Sequence, residues 1–222
     1  MVELMVALAI SGIIVAAIYS AYTLQHQTYS VQEQVVEMQQ NVRAALLDMS
    51  RELRMAGYDP DGTCGAGFVT ALPTQVSFTY CATDDGVDND NDGSVDEAGE
   101  LKQVTYSLYD AYNDGINDLG RQVGTAGSTR RMLAEHISQV EFDYLDASGQ
   151  PTTTLSQIRS VQISILARAG QPDRKFSNTL TYSPGSVLRN PSLAATNNWG
   201  PYNDNIRRRL LITTVQCRNM GL

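Results

Sequence analysis

Histidine, cysteine and lysine are scarce in this 222-residue chain, and each scarcity excludes a class of function. The two histidines, His26 and His136, lie far apart, which leaves little material for imidazole catalysis or a zinc cage. Three cysteines are too few for a disulfide-framework miniprotein, and no C-x-x-C-H run is present to attach haem. Of the 16 basic residues 14 are arginine, suited to fixed pairing with carboxylates rather than to mobile surface charge. Against 24 acids these leave a net charge of −8, so charge gives no support to nucleic-acid binding. No G-x-S-x-G, Walker loop, H-E-x-x-H or dinucleotide fingerprint occurs, and the chain reads as a non-enzyme. Proline is absent before Pro60, and no charged residue lies between Glu3 and Glu33.

That charge-free stretch contains the run LMVALAISGIIVAAIYSAYTL, Leu4 to Leu24, 21 residues long. At about 1.5 Å per residue it spans roughly 30 Å, the thickness of a bilayer core. Tyr19 and Tyr22 lie near its end, where an interfacial aromatic belt is expected. A signal peptide would pair a basic n-region with a shorter apolar stretch and a cleavage site. Here the helical pattern continues instead. Val31, Val35, Met38, Val42, Leu46, Met49, Leu53 and Ala56 form one apolar stripe at helical period. Gly57 is the expected stop ahead of Pro60. The spacing predicts a helix of about 55 residues, roughly 80 Å long. Its first half needs lipid or other helices, and its second half a packed domain.

Beyond it, period-two alternation recurs at Val76/Phe78/Tyr80, Val104/Tyr106/Leu108, Val140/Phe142/Tyr144 and Val161/Ile163/Ile165/Ala167, with a further strand expected over 207–216. Turn-forming clusters separate them. The expected fold is α+β: one long N-terminal helix whose apolar half protrudes, with its amphipathic half packed on an antiparallel sheet. Residues 1–24 form the apolar half, 25–57 the amphipathic half, and 58–222 a β-rich headgroup.

The segment VELMVALAISGIIVAAIYSAY resembles the N-terminal signature of type IV pilins and the pseudopilins of type II secretion. MQQNVRAALLDMSRELRMAGYDP (38–60) and RRRLLITTVQCRNMGL (207–222) are similar to the minor pilins called PilW. The resemblance implies cleavage by a prepilin peptidase, methylation of the new N-terminus, residence in the inner membrane, and then assembly with other pilin subunits into a periplasmic or surface filament. It implies that Glu3 is the assembly residue. The family places that glutamate fifth in the mature chain, so two residues are expected before Met1. Ser20 stands near the place where many pilins carry a kinking proline, so any flexibility in this helix has to come from Ser11-Gly12.

Residues 84–100, DDGVDNDNDGSVDEAGE, hold eight acids and no base, equal to the whole net charge. From Asp88 the spacing fits a calcium loop: Asp88, Asp90 and Asp92 at positions one, three and five, Gly93 at the turn, Ser94 offering its carbonyl, and Asp96 at nine. Gly99 occupies the twelfth position, where a bidentate glutamate is usual, so Glu97 or Glu100 has to supply that ligand. Without flanking helices the loop is closer to the bare aspartate-rich loops of thrombospondin-type repeats. The competing reading is an acidic, solvated insertion. Cys64 and Cys81 flank the expected first hairpin and can pair in an oxidising compartment. Cys217 can also partner either of them, so three pairings are open.

The favoured function is a structural subunit of a type IV pilus-like filament, a PilW-like minor pilin with a priming, tip or adhesion role. The alternatives are the main subunit of a pilus or secretion pseudopilus, and, from another class, a singly tethered calcium-dependent binding module.

Overall fold

The computed structural model describes residues 1–82, 86, 88, 93–94, 100–124 and 127–221. The chain divides into two compact units, Met1–Glu37 and Met38–Leu222. Helix α1 (Val2–Leu53) begins in the first unit and ends in the second. Its 52 residues include no proline and one glycine, Gly12, so nothing interrupts the backbone hydrogen-bond ladder.

In the first unit no residue is buried. In the second, α1 buries Met38, Val42, Ala45, Leu46, Met49 and Leu53, one face at helical spacing. The helix stops at Leu53 rather than at the expected Gly57. Met55 and Ala56 donate to the carbonyls of Glu52 and Leu53 in a tightened last turn. Gly57 then takes φ +75°, a left-handed exit that glycine adopts without steric cost. Its N–H donates to Thr79 O. The side-chain amide of Asn219 donates to Arg54 O at 2.8 Å, so the C-terminal segment satisfies a carbonyl that the helix end leaves open.

Two antiparallel sheets replace the single expected one. The first is a meander of β1 (Phe68–Leu72), β2 (Gln75–Cys81), β3 (Leu101–Tyr109), β4 (Asp118–Val123) and β5 (Arg130–Ala134), in that order. The second is β6 (Ile137–Leu145), β7 (Ser160–Arg168) and β8 (Arg208–Gln216), also in chain order. The alternating residues form the core: Val76, Phe78, Val104 and Tyr106 from the first sheet, and Val140, Phe142, Val161, Ile163 and Ile165 from the second. Phe68 packs edge-on against both Phe78 and Tyr144, bridging the sheets. The Tyr144 hydroxyl lies 3.0 and 2.9 Å from the carbonyl oxygens of Leu72 and Gln75, fixing the β1–β2 hairpin to the second sheet.

Residues 169–207 leave the second sheet and return to it as β8. They carry the short helix α2 (Gly185–Arg189). This segment covers the polar face of β6 and β7: Ser186 Oγ lies 2.6 Å from Glu141, Gly185 N–H donates to Ser164 Oγ at 2.8 Å, and Arg189 pairs with Asp143. Both faces of β7 are therefore covered, and Ser164 is fully buried with its hydrogen bond made.

Candidate functional site

Glu3 occupies the first turn of α1 and is exposed, as are Leu4 to Tyr22 around it. The helix contains a window long and apolar enough to cross a membrane, none of it buried. Its aliphatic hydroxyls are satisfied within the helix: Ser11 Oγ donates to Leu8 O at 2.9 Å, Ser20 Oγ to Ala17 O at 3.0 Å, and Thr23 Oγ1 to Ser20 O at 2.9 Å. Such i−3 bonds remove the cost of taking a hydroxyl out of water. Glu3 is then the one side chain in residues 2–24 that carries a charge. The surroundings that suit this segment are apolar.

The acidic loop is described at Gly86, Asp88, Gly93, Ser94 and Glu100. Asp88 Oδ2 accepts the Gly93 N–H at 3.0 Å, and Gly93 has φ +100°. The first aspartate and the turn glycine of the expected calcium loop are therefore close together. Ser94 is exposed and Glu100 fully buried. Asp90, Asp92, Asp96 and Glu97 lie outside the described residues.

Cys64 and Cys81 form a disulfide with Cα atoms 6.0 Å apart. Closing a loop of 17 residues contributes roughly 3 kcal/mol in the chain-entropy description. Cys217 is free and buried, and burial pushes its thiol pKa up to about 12, which leaves it a packing group at neutral pH. Beside the disulfide, the Asp59 carboxylate accepts the N–H groups of Thr63, Cys64 and Gly65 at 3.1, 3.1 and 2.8 Å. Desolvation pushes its pKa up, but the backbone donors outweigh it and hold the carboxyl below its usual value. Asp59, Cys64 and Cys81 are the single ligand-type cluster among the described residues. With its sulfurs joined to each other it offers no thiolate to a metal.

One cluster escaped the sequence reading. Glu52, from the last turn of α1, accepts Arg121 Nε at 2.8 Å, pairs with the same guanidinium through a second nitrogen, and accepts the Tyr106 hydroxyl. Burial, then the Glu52 charge, pushes the Tyr106 phenol far above its usual pKa, while Glu52 raises that of Arg121. An acid next to the apolar stripe at Met49 and Leu53 was its one trace in the sequence.

The family model described as Type IV Pilus-assembly protein W, PilW, matches residues 78–219, well over half of the chain. The chain belongs to the PilW family. The matched span begins after α1, so membership rests on the β-rich part and is independent of the N-terminal signature. A type IV-like pilin from Thermus thermophilus has a similar structure, with a TM-score of 0.49, 18% sequence identity, and coverage of 82% of this chain and 97% of that one. No curated protein sequence matches. This PilW chain is a minor-pilin structural component of a type IV pilus, with other pilin subunits as its partners. The family is structural rather than enzymatic. Its apolar N-terminal helix fits membrane anchoring and a pilus-associated place at the cell surface.

Proposed function

We propose that this PilW chain is a sparse subunit that primes or caps a type IV pilus-like filament at its tip. It is held in the inner membrane by residues 1–24, processed and methylated by a prepilin peptidase, and drawn into the filament core through the same helix. The observation that carries its assembly through this helix is residues 2–24 of α1: an unburied apolar surface whose aliphatic hydroxyls need no outside partner and whose single charge, Glu3, is at one end. Helices of this kind pack against one another where water is absent, because van der Waals contact between their surfaces replaces contact with lipid. Labelling the subunit on native filaments tests the reading. A tip subunit gives signal at filament ends and a small share of the protein mass. Uniform signal along the shaft would identify a main subunit instead.

The bond from Gly93 N–H to Asp88 favours a second element of the proposal, a calcium site formed by Asp88, Asp90, Asp92, the Ser94 carbonyl, Asp96 and Glu97. Concentrated carboxylates repel one another, and a bound divalent cation relieves that repulsion in the folded state only. At about 100 times its dissociation constant, calcium should stabilise the headgroup by roughly 2.7 kcal/mol. Melting temperature measured with calcium and with chelator checks this. Equal values in both would identify the loop as a solvated insertion.

A further inference from the structure

The second sheet ends on an open edge. Ala169 N–H donates to Arg207 O at 2.8 Å and Cys217 N–H to Arg159 O at 2.9 Å. Between them the β7–β8 ladder runs in unbroken register from Arg168↔Arg208 to Ser160↔Gln216. Bonded and non-bonded pairs alternate along an antiparallel ladder. Arg209, Leu211, Thr213 and Val215 therefore bond to β7. Arg208, Leu210, Ile212, Thr214 and Gln216 turn their N–H and C=O groups away from it. Among the described residues no strand or loop takes up those groups.

The other edges are blunted. β1 and β5 are five residues long, and the ladders of both slip register. The outer side of β6 is taken, with Phe142 N–H donating to Pro73 O and Thr152 N–H to Tyr144 O. β8 has nine residues, no slip, no proline and no charge from Leu210 to Cys217. Leu210, Leu211, Ile212 and Thr213 are half-exposed. A long, straight, apolar edge promotes aggregation in a protein that works alone, and natural sheets avoid it.

We propose that the outer edge of β8 receives an extended segment of another pilin subunit by β-strand addition. Arginines stand at both ends of the edge: Arg209 and Arg218 are exposed, while Arg207 and Arg208 are paired with Asp173 and Asp204. A second copy of β8 paired antiparallel about Ile212 would set Arg208 opposite Gln216 and Arg218 opposite Ile206, diagonal to Arg208 and three positions from Arg209, which gathers like charge at both ends. The occupant is therefore a different subunit. Its strand has an apolar, β-branched centre, and acidic residues about 30 Å apart meet Arg209 and Arg218. Main-chain bonds to the five outward residues hold it, and alternate side chains select it. The proposal rests on the chain acting among other pilin subunits, and not on its place at the tip.

The test uses the full-length protein in cells that assemble filaments, with a photo-cross-linking residue at position 210 or 214 and, separately, within residues 4–20. The expected result is an edge adduct with an identified pilin subunit, through a segment of the stated composition. Thr214→Pro removes an outward N–H without touching the β7 ladder. It should abolish the adduct from position 210 and keep the adducts from residues 4–20. If proline unfolds the headgroup, Thr214→Lys on the same edge should give the same loss with the melting temperature retained. Helix adducts without edge adducts would overturn the proposal and leave assembly standing, as would an edge adduct to a second copy. Loss of both kinds in the unsubstituted protein would overturn the filament reading as well.

Discussion

Glu3→Val is expected to leave the protein inserted and folded yet nearly absent from filaments. Its side chain is exposed at the start of an apolar helix, and no structure in the second unit depends on it. Valine removes the one charge in residues 2–24, so retention in lipid is unchanged or improved. What is lost is discrimination. In a dry helix bundle the carboxylate is tolerated where it meets the positive N-terminal amine of a neighbour, and it is costly at any other stagger. An unpaired charge at membrane depth costs roughly 2.5–3.5 kcal/mol. At about 1.4 kcal/mol per factor of ten, that is on the order of a hundredfold preference for one register. Without the charge the helices can slide, and incorporation should fall by a comparable factor. Membrane fractionation and quantitation of the subunit in sheared filaments measure both halves of the expectation. Wild-type incorporation of Glu3→Val would remove Glu3 from any role in assembly.

Glu52→Ala is expected to give the largest loss of headgroup stability of any polar substitution, about 3 kcal/mol, in the range for breaking a partly buried ion pair. The carboxylate holds two of the three Arg121 guanidinium nitrogens and the hydroxyl of Tyr106, a residue fully buried in the core. Alanine leaves a desolvated phenol without its acceptor and a guanidinium that is only about a quarter exposed without its counter-charge. The α1 end and strands β3 and β4 are joined at this point, so the loss is shared across the unit. Glu52→Gln keeps an acceptor for Tyr106 and removes the charge, and it should recover part of the deficit. Denaturant unfolding of the three proteins separates the contributions. Equal stability of Glu52→Ala and the wild-type headgroup would show the triad to be incidental.

Much of this architecture was readable before any coordinates. The helix was legible because its period persists from Val31 to Ala56 without proline, and the alternating strands because one face of each lies in the core. β4 and β5 were not, and β1 entered only as the unbounded partner strand of the hairpin expected between Cys64 and Cys81. FVTAL, DLGRQV and RRMLA have no clean alternation, since neighbouring strands and not burial fix their place. Gly120 in β4 is an example. A Cβ there would come within 2.6 Å of Tyr109 and Arg130, so the strand gives up a side chain to let that pair stack across it. The split into two sheets and the covering of Glu141 and Asp143 by residues 169–207 depend on contacts between distant residues, which local pattern does not record. At the functional end, Glu3 was conspicuous as a lone charge. The pairing of Cys64 with Cys81 was one of three that spacing allowed, and a third cysteine in a strand-like context carries no mark of being free.

The central claim is that residues 1–24 lie among the same segments of other pilin subunits. Cysteines placed one at a time in residues 4–20, with matching cysteines in the other pilins of the same cell, test it most directly under mild oxidation of intact filaments. The account predicts disulfide adducts at positions that recur with helical period and disappear from filaments when Glu3 is replaced. A full set of these positions giving only uncross-linked protein, in filaments that contain the subunit, would contradict it.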